Sequence, residues 1–274
     1  MNDFAKPPAN PASIPAATVI LAREGPGGVP EFLLVQRGEQ LAFAGGALVF
    51  PGGRVDASDI HIARNAQLAF GFEGLTDVDA AARVTCAREA LEETGVLLTD
   101  GPHPDAAALA QARSRLAAGP DEAEAVGFAG MLGAMAHKVD AARFLPFARW
   151  EPPAAAAIAR RFDTRFYLAD AGRSASAAIT PDGFEAKALR WTTAGEALAD
   201  YEAGRAAMVF PTWCNMHRLA QYQSLVALFD RVGALPAPYV QPEFVTIDGE
   251  MWLTIPEGID YPVTRDRVNN IRRE

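Results

Sequence analysis

The sequence predicts an α/β fold: a sheet layered with helices, carrying helical insertions and a C-terminal extension. Three observations predict it. Short β-branched apolar runs recur, as in Ala17 to Arg23, Glu31 to Arg37 and Asp163 to Leu168. Between them lies a segment of helical period, with Val84, Ala87 and Leu91 on one face. Half of the 274 residues are hydrophobic and 22% are charged, a balance that supports a packed core rather than disorder.

The elements follow in order. Residues 1–15 are polar and rich in Pro and Ala, and read as a mobile arm. Ala17 to Arg23 is a strand, Gly25 to Pro30 a turn, and Glu31 to Arg37 the returning strand of a hairpin. Leu48-Val49-Phe50 is a short strand running into Pro51-Gly52-Gly53, where glycine permits φ > 0 or close backbone approach. Residues 60–76 read as a loop. Asp77 is an N-cap for a helix over Val78 to Thr94, which Gly95 ends. Val96-Leu97-Leu98 reads as a strand, and the Ala-rich stretch from Pro104 to Met135 as two short helices.

Phe144 to Trp150 and Ala186 to Trp191 are extended, the latter after the turn Thr180-Pro181-Asp182-Gly183. Thr193 and Glu196 form a capping box for a helix reaching Ala203. Thr212 caps a longer helix ending near Gly233. In the tail, Asp248-Gly249 between two apolar runs predicts a hairpin. The domain is therefore expected over 16–235, with insertions at about 60–76 and 104–140, and an extension over 236–274.

Charge and cysteine content exclude several function classes. A net charge of -9 argues against a general nucleic-acid or acidic-membrane binder. Two cysteines, Cys86 and Cys214, make no disulfide scaffold and no zinc spacing, and read as buried thiols. The N-terminus lacks the apolar run of a signal peptide, so a cytoplasmic protein is expected. The four histidines have no partner spacing. Trp213, Tyr222 and Phe229 read as core.

Glu89, Glu92 and Glu93 stand at i, i+3 and i+4 of the predicted helix, which places three carboxylates on one face. Like charges this close repel unless a cation neutralises them, and oxygen-only clusters suit Mg²⁺ or Mn²⁺. Alone, such a triplet reads more readily as a solvated acidic face. The Pro-Gly-Gly turn upstream and the helix-ending Gly95 favour a site. Arg88 is placed to reach Glu92.

The segment Arg88-Glu89-Ala90-Leu91-Glu92-Glu93-Thr94-Gly95-Val96 resembles the second half of the box of the Nudix hydrolases. Gly53 and, six positions on, Asp59 match its first half, with Asp in place of the usual Glu. Residues 60–87 are 28 residues where the family has seven, so the box is split. This resembles the split-box, acyl-coenzyme A diphosphatase branch, as do Val49 to Asp56 and Arg161 to Phe166. Upstream, Leu33 to Gly38, Gly46 and Phe50 to Gly53 follow the branch's coenzyme A spacing, with Ala42 where a second basic residue stands.

The resemblance implies a Nudix-type α/β/α sandwich with a mixed sheet, and metal-dependent hydrolysis of a diphosphate. Glu92 and Glu93 would bind Mg²⁺ or Mn²⁺ with the Gly53 carbonyl. Glu89 would be a further ligand or the base for the attacking water, and Arg88 would assist. Glu185 is the candidate for an additional carboxylate, and Arg37, Gly52 and Arg54 for the substrate side. Asp59 is expected to be structural. The substrate is a small diphosphate: coenzyme A, acyl-coenzyme A, or another nucleoside diphosphate derivative such as ADP-ribose or a dinucleotide. A non-catalytic ligand-binding module is the third reading. A homodimer is left open.

Overall fold

The computed structural model describes residues 13–38, 45–102, 104–117, 127–156, 158, 160–172, 179–181 and 186–268. The predicted hairpin is present: β1 (Ile14–Glu24) runs antiparallel to β2 (Pro30–Arg37), with Ala22 opposite Phe32. Ile14 and Pro15, expected in the mobile arm, already belong to β1. The short strands β3 (Leu48–Val49) and β4 (Gly52–Arg54) pair with β2 and with the first half of β1 respectively.

Residues 60–76 are not simply a loop. Helix α1 (Ala57–Ala63) opens on a capping box between Asp56 and Asp59 and buries Ile62. After it, β5 (Ala69–Phe70) pairs in parallel with β6 (Val139–Asp140), which ties the two expected insertions together. Between them come α2 (Asp77–Glu89), α3 (Ala106–Ala117) and α4 (Phe128–Met135). Val96 and Leu98 are buried but form no strand; their side chains serve the core without a ladder partner.

The main sheet is completed by β7 (Leu145–Trp150), β8 (Phe162–Asp170), β9 (Ala186–Thr193) and β10 (Tyr239–Val240). Its order is β10-β7-β8-β1-β2-β3, with β4 beside β1 and β9 beside β2. The β1–β8 and β7–β10 pairs are parallel and the rest antiparallel, so the sheet is mixed.

Period-two alternation along β1 and β2 feeds two cores. Ala17, Val19, Leu21 and Leu33 pack with Val84 and Ala87 of α2 and with Leu91 just beyond its end. Ile20, Ala22, Phe32 and Leu34 face the other way, toward α5 (Ala194–Glu202), α6 (Phe210–Leu219) and α7 (Leu225–Ala234). Helices thus cover both faces, the expected α/β/α sandwich. Each fully buried Leu or Phe contributes about 1.5–3 kcal/mol to holding the layers together. The capping box at Thr193 and Glu196 is formed. Thr212 is not a cap: Val209 precedes α6, Pro211 sits in its first turn, and a separate helix opens at Ser224.

The tail hairpin of β11 (Glu243–Ile247) and β12 (Glu250–Thr254) is joined by β13 (Arg265–Arg267). Asp248 and Gly249 have φ of 52° and 79°, the left-handed pair of a type I′ turn. The extension packs against the domain: Leu253, Ile255, Tyr261 and Val268 are buried in the second core. Arg218, 2% exposed, donates to the Phe147 carbonyl at 2.7 Å and to Asp260 at 3.1 Å. Both cysteines are buried, and Trp213, Tyr222 and Phe229 pack against the core. Among the described residues, no helix is long and apolar enough to cross a membrane.

Candidate active site

The site is built on α2. Thr76, rather than Asp77, caps it, its hydroxyl accepting from Asp79 N–H. Arg165 on β8 grips the first turn through Asp79 at 2.7 Å, and Asp163 beside it accepts from Arg165 and from both sides of the Arg149 fork. The motif from Arg161 to Phe166 therefore anchors the helix to the sheet. Arg83, nearly buried, donates to the carbonyls of Ala141 and Phe144 and lies over the Tyr167 ring.

The helix then changes geometry. Ala90–Thr94 is π-helical, Thr94 Oγ1 donates back to the Ala90 carbonyl, and Gly95 closes the segment in the left-handed region. The wider turn opens inside the very stretch that carries the acids, a common setting of π-helical turns. Glu89 ends the α-helical part and Glu92 and Glu93 stand on the wider turn.

Arg88 gathers the cluster. Its Nη1 donates to Glu89 Oε1 at 2.7 Å and to Glu92 Oε2 at 3.1 Å. Its Nε and Nη2 donate to Asp59 at 3.1 and 3.0 Å, and Nη2 also to the Arg54 carbonyl at 3.1 Å. Asp59 is completely buried and further accepts from Asp56 N–H and from the Thr85 hydroxyl. Glu93 accepts from Gly52 N–H at 3.2 Å.

Three carboxylates in contact with one guanidinium leave an excess of negative charge. Burial pushes Glu92 up to about 7; Arg88 opposes the rise and the charge of Glu89 adds to it. Burial works against the charge of Arg88, but the hydrogen bond to Asp59 and the neighbouring carboxylates outweigh it and raise its pKa. The Cys86 thiol beneath them is pushed well up by burial.

Neither Gly52 nor Gly53 has a positive φ, so the turn does not need glycine for backbone reasons. It needs it for space. A Cβ on Gly53 would lie 2.1 Å from Glu89 Oε1, and one on Gly52 would lie 2.4 Å from the Ala17 carbonyl oxygen.

The structure thus brings Gly52, Gly53, Arg54, Arg88, Glu89, Glu92 and Glu93 together. The Arg54 side chain turns to Asp56 and offers the site its carbonyl. Arg37 ends β2 at a register shift against β9. Glu185, Ala42 and the turn at Asp182-Gly183 lie outside the described residues. Sequence reasoning missed Thr85 and Arg113. Arg113 on α3 donates to the Glu92 carbonyl at 2.9 Å and to Thr180, so an insertion helix braces the end of the acidic segment. A hydroxyl three residues before Arg88 was the available signal for Thr85; nothing local marks Arg113.

Among the described residues, no three acidic, histidine or cysteine side chains already surround one point. Arg88 holds Glu89 and Glu92, and Gly52 holds Glu93. The donor chemistry nonetheless suits a hard divalent cation: the oxygens of Glu89, Glu92 and Glu93 are all carboxylate, and the Glu89 carboxylate lies directly against Gly53, in the space a Cβ would need.

No family model matches the chain. The acyl-coenzyme A diphosphatase of Xenopus laevis is 25% identical over 235 residues, covering 70% of this chain and 60% of that protein. The chain therefore spans about three-fifths of that relative's length. A solved Nudix hydrolase from Alicyclobacillus acidocaldarius aligns with a TM-score of 0.67 and 26% identity, covering 82% of this chain and 97% of that one. The fold is the Nudix hydrolase fold, and the chain resembles the coenzyme A diphosphatase branch.

Proposed function

We propose that the chain hydrolyses a diphosphate linkage with the help of Mg²⁺ or Mn²⁺, on coenzyme A, an acyl-coenzyme A or a close relative of these. The observation that supports this most is the Arg88 guanidinium, which joins Asp59, Glu89 and Glu92 beside Gly53. An arrangement that concentrates like charge at a glycine turn serves cation binding better than it serves stability.

Glu89, Glu92, Glu93 and the Gly53 carbonyl would hold the cation. When bound, it supplies Lewis-acid stabilisation of phosphoryl charge and a lowered water pKa. The chain's own part is positional. Asp59 fixes the Arg88 fork, Arg88 presents Glu89 and Glu92, and Gly52 N–H orients Glu93. Glu89 holds the cation or takes the proton of the attacking water. Gly52 and Arg54 lie on the substrate side, with Arg37 and Glu185 as further candidates.

A magnesium-dependent turnover assay over coenzyme A, acyl-coenzyme A, ADP-ribose and dinucleotides, with product identification, tests the reading. Products split between the two phosphorus atoms are expected. Absence of turnover with either metal would favour the ligand-binding module. Ala42 supports a second reading, another nucleoside diphosphate derivative, because a basic residue is missing from the coenzyme A spacing.

A further inference from the structure

The peptide unit between Glu92 and Glu93 is held from outside its own helix. Helix ends leave carbonyls without intrahelical donors, and the π-helical turn over Ala90–Thr94 ends in such a set. Two of them are met locally: the Leu91 carbonyl accepts from Gly95 N–H at 3.0 Å, and the Ala90 carbonyl from the Thr94 hydroxyl. In a regular α-helix the Glu92 carbonyl would accept from Val96 N–H. Here that N–H goes to Thr94 Oγ1 at 3.2 Å, and Arg113 Nε, 21 positions on in α3, takes its place at 2.9 Å. Arg113 Nη1 donates to the Thr180 hydroxyl, and Thr180 N–H reaches back to the Thr94 carbonyl at 3.4 Å. Arg113 and Thr180 thus close a ring over the end of the acidic segment. The guanidinium lies beside Gly95, 3.5 Å from where a Cβ would stand there.

What this bond fixes is specific. A peptide unit is planar, so the plane that carries the Glu92 carbonyl also carries Glu93 N–H and both α-carbons. Holding that carbonyl sets the direction from which both carboxylates depart. Beyond it the two side chains separate, Glu92 to Arg88 Nη1 at 3.1 Å and Glu93 to Gly52 N–H at 3.2 Å. Glu92 is therefore held by two guanidiniums: at its side chain by Arg88, and at its main chain by Arg113 of the insertion.

We propose that Arg113 is a positioning residue of the cation site: by holding the Glu92–Glu93 peptide unit, the insertion helix sets the approach of two carboxylates, and cation binding is coupled through it to the docking of α3. This deepens the metal-dependent reading of the site and rests on it. Arg113 acts through the main chain of Glu92 and is not itself a ligand. The coupling is reciprocal: whatever docked α3 adds to cation affinity, the cation returns as stability of the docked helix.

The test is Mn²⁺ binding to the full chain without substrate, measured by calorimetry on the native chain and on Arg113→Met, Arg113→Lys and Ala110→Gly. Methionine keeps a straight stem and a good helix preference but removes the donors. It should weaken Mn²⁺ about ten-fold, the scale of one hydrogen bond from a charged group. Lysine keeps a donor and should recover part of the loss. Ala110→Gly, at an exposed position inside α3, loosens the helix without touching the ring and should cost far less affinity. Saturating Mg²⁺ should slow amide exchange of α3 in the native chain but not in Arg113→Met. Arg113 is only half-buried, so the variants should fold, as metal-free melting curves check. A role in stability alone would lower the melting temperature and leave Mn²⁺ affinity where it was. Native affinity in Arg113→Met, an equal loss in Ala110→Gly, or α3 exchange indifferent to Mg²⁺ overturns the proposal while the metal site stands. A native chain that binds no Mn²⁺ removes the metal site and this role together. Turnover of the substrate panel is read separately, so a chain that binds Mn²⁺ but hydrolyses no diphosphate sinks the diphosphatase reading and leaves the role of Arg113 standing.

Discussion

Arg88 and Asp59, 29 positions apart, meet in a two-pronged ion pair, Nε to Oδ1 at 3.1 Å and Nη2 to Oδ2 at 3.0 Å. The pair closes a box that the sequence leaves split, and it does so under cover: Asp59 is fully buried and Arg88 nearly so. Breaking one half of a buried pair leaves the other charge without compensation. Asp59→Asn should therefore lower stability by about 3 kcal/mol and loosen Glu89 and Glu92. Urea unfolding reads the first effect, and an unchanged midpoint would show that the pair is not what holds α1 to α2.

Glu92→Gln and Glu93→Gln should each cut turnover at least ~100-fold, the scale seen when a group stabilising transition-state charge is removed. Removing Glu92 also relieves repulsion by Glu89, so thermal stability without metal should hold or rise. Near-normal rates in both variants would sink the metal-site assignment.

Without metal, Glu92 is held up near 7, mainly by burial. Its folded pKa lies above the ordinary carboxylate value, so the folded chain binds that proton more tightly than the unfolded chain does. Stability from this group therefore rises as pH falls from above 7 toward the usual carboxylate range. Cation binding has the opposite sign, because the cation needs the carboxylate free of its proton. Mg²⁺ affinity should increase with pH through about 7, with proton release that shrinks above it. Calorimetry in two buffers of different ionisation enthalpy measures this, and a pH-independent affinity, matched by Glu92→Gln, would falsify the link.

Much of this was legible in the sequence, and the reasons are local. The helical period and the Arg88 to Val96 spacing place the acids without any knowledge of their neighbours. The Asp248-Gly249 pair announces its hairpin because a type I′ turn demands it. What stayed hidden depends on long-range contact. Val96 to Leu98 reads as a strand because a short apolar run looks the same whether it joins a ladder or fills a core. The π-helical turn at Ala90 leaves no periodic trace, and the α1 helix is marked only by its capping carboxylates. The contact of Arg218 on α6 with Asp260, 42 positions on, leaves no local mark at either residue.

That last contact carries its own consequence. Arg218 lies over the Phe147 ring at 4.2 Å and meets Asp260, while the Tyr261 hydroxyl donates to Asn215 at 2.7 Å. Asp260→Ala strips a buried guanidinium of its carboxylate and should cost about 2–3 kcal/mol, somewhat below a fully buried pair because Asp260 is partly exposed. Removing residues 236–274 should cost far more and expose the second core. A truncated chain that melts with the full-length one would show that the extension is only appended.

Gly53→Ala is the sharpest probe of the site, because it adds one carbon and changes no charge. The new Cβ would sit 2.1 Å from Glu89 Oε1, inside any allowed contact, so the carboxylate or the turn must move. Gly53 has no positive φ, so alanine brings no backbone strain of its own. The cost thus falls on Glu89, whose hold on Arg88 at 2.7 Å ties it to Glu92. Turnover should fall about 100-fold, since misplacing one group by about 1 Å is enough for that, while the melting temperature moves by only a few degrees, about 1 kcal/mol. Adding Glu89→Asp to Gly53→Ala shortens the crowding side chain and should recover part of the loss. Full activity in Gly53→Ala would mean that Glu89 works from a position other than the one it occupies beside the glycine turn.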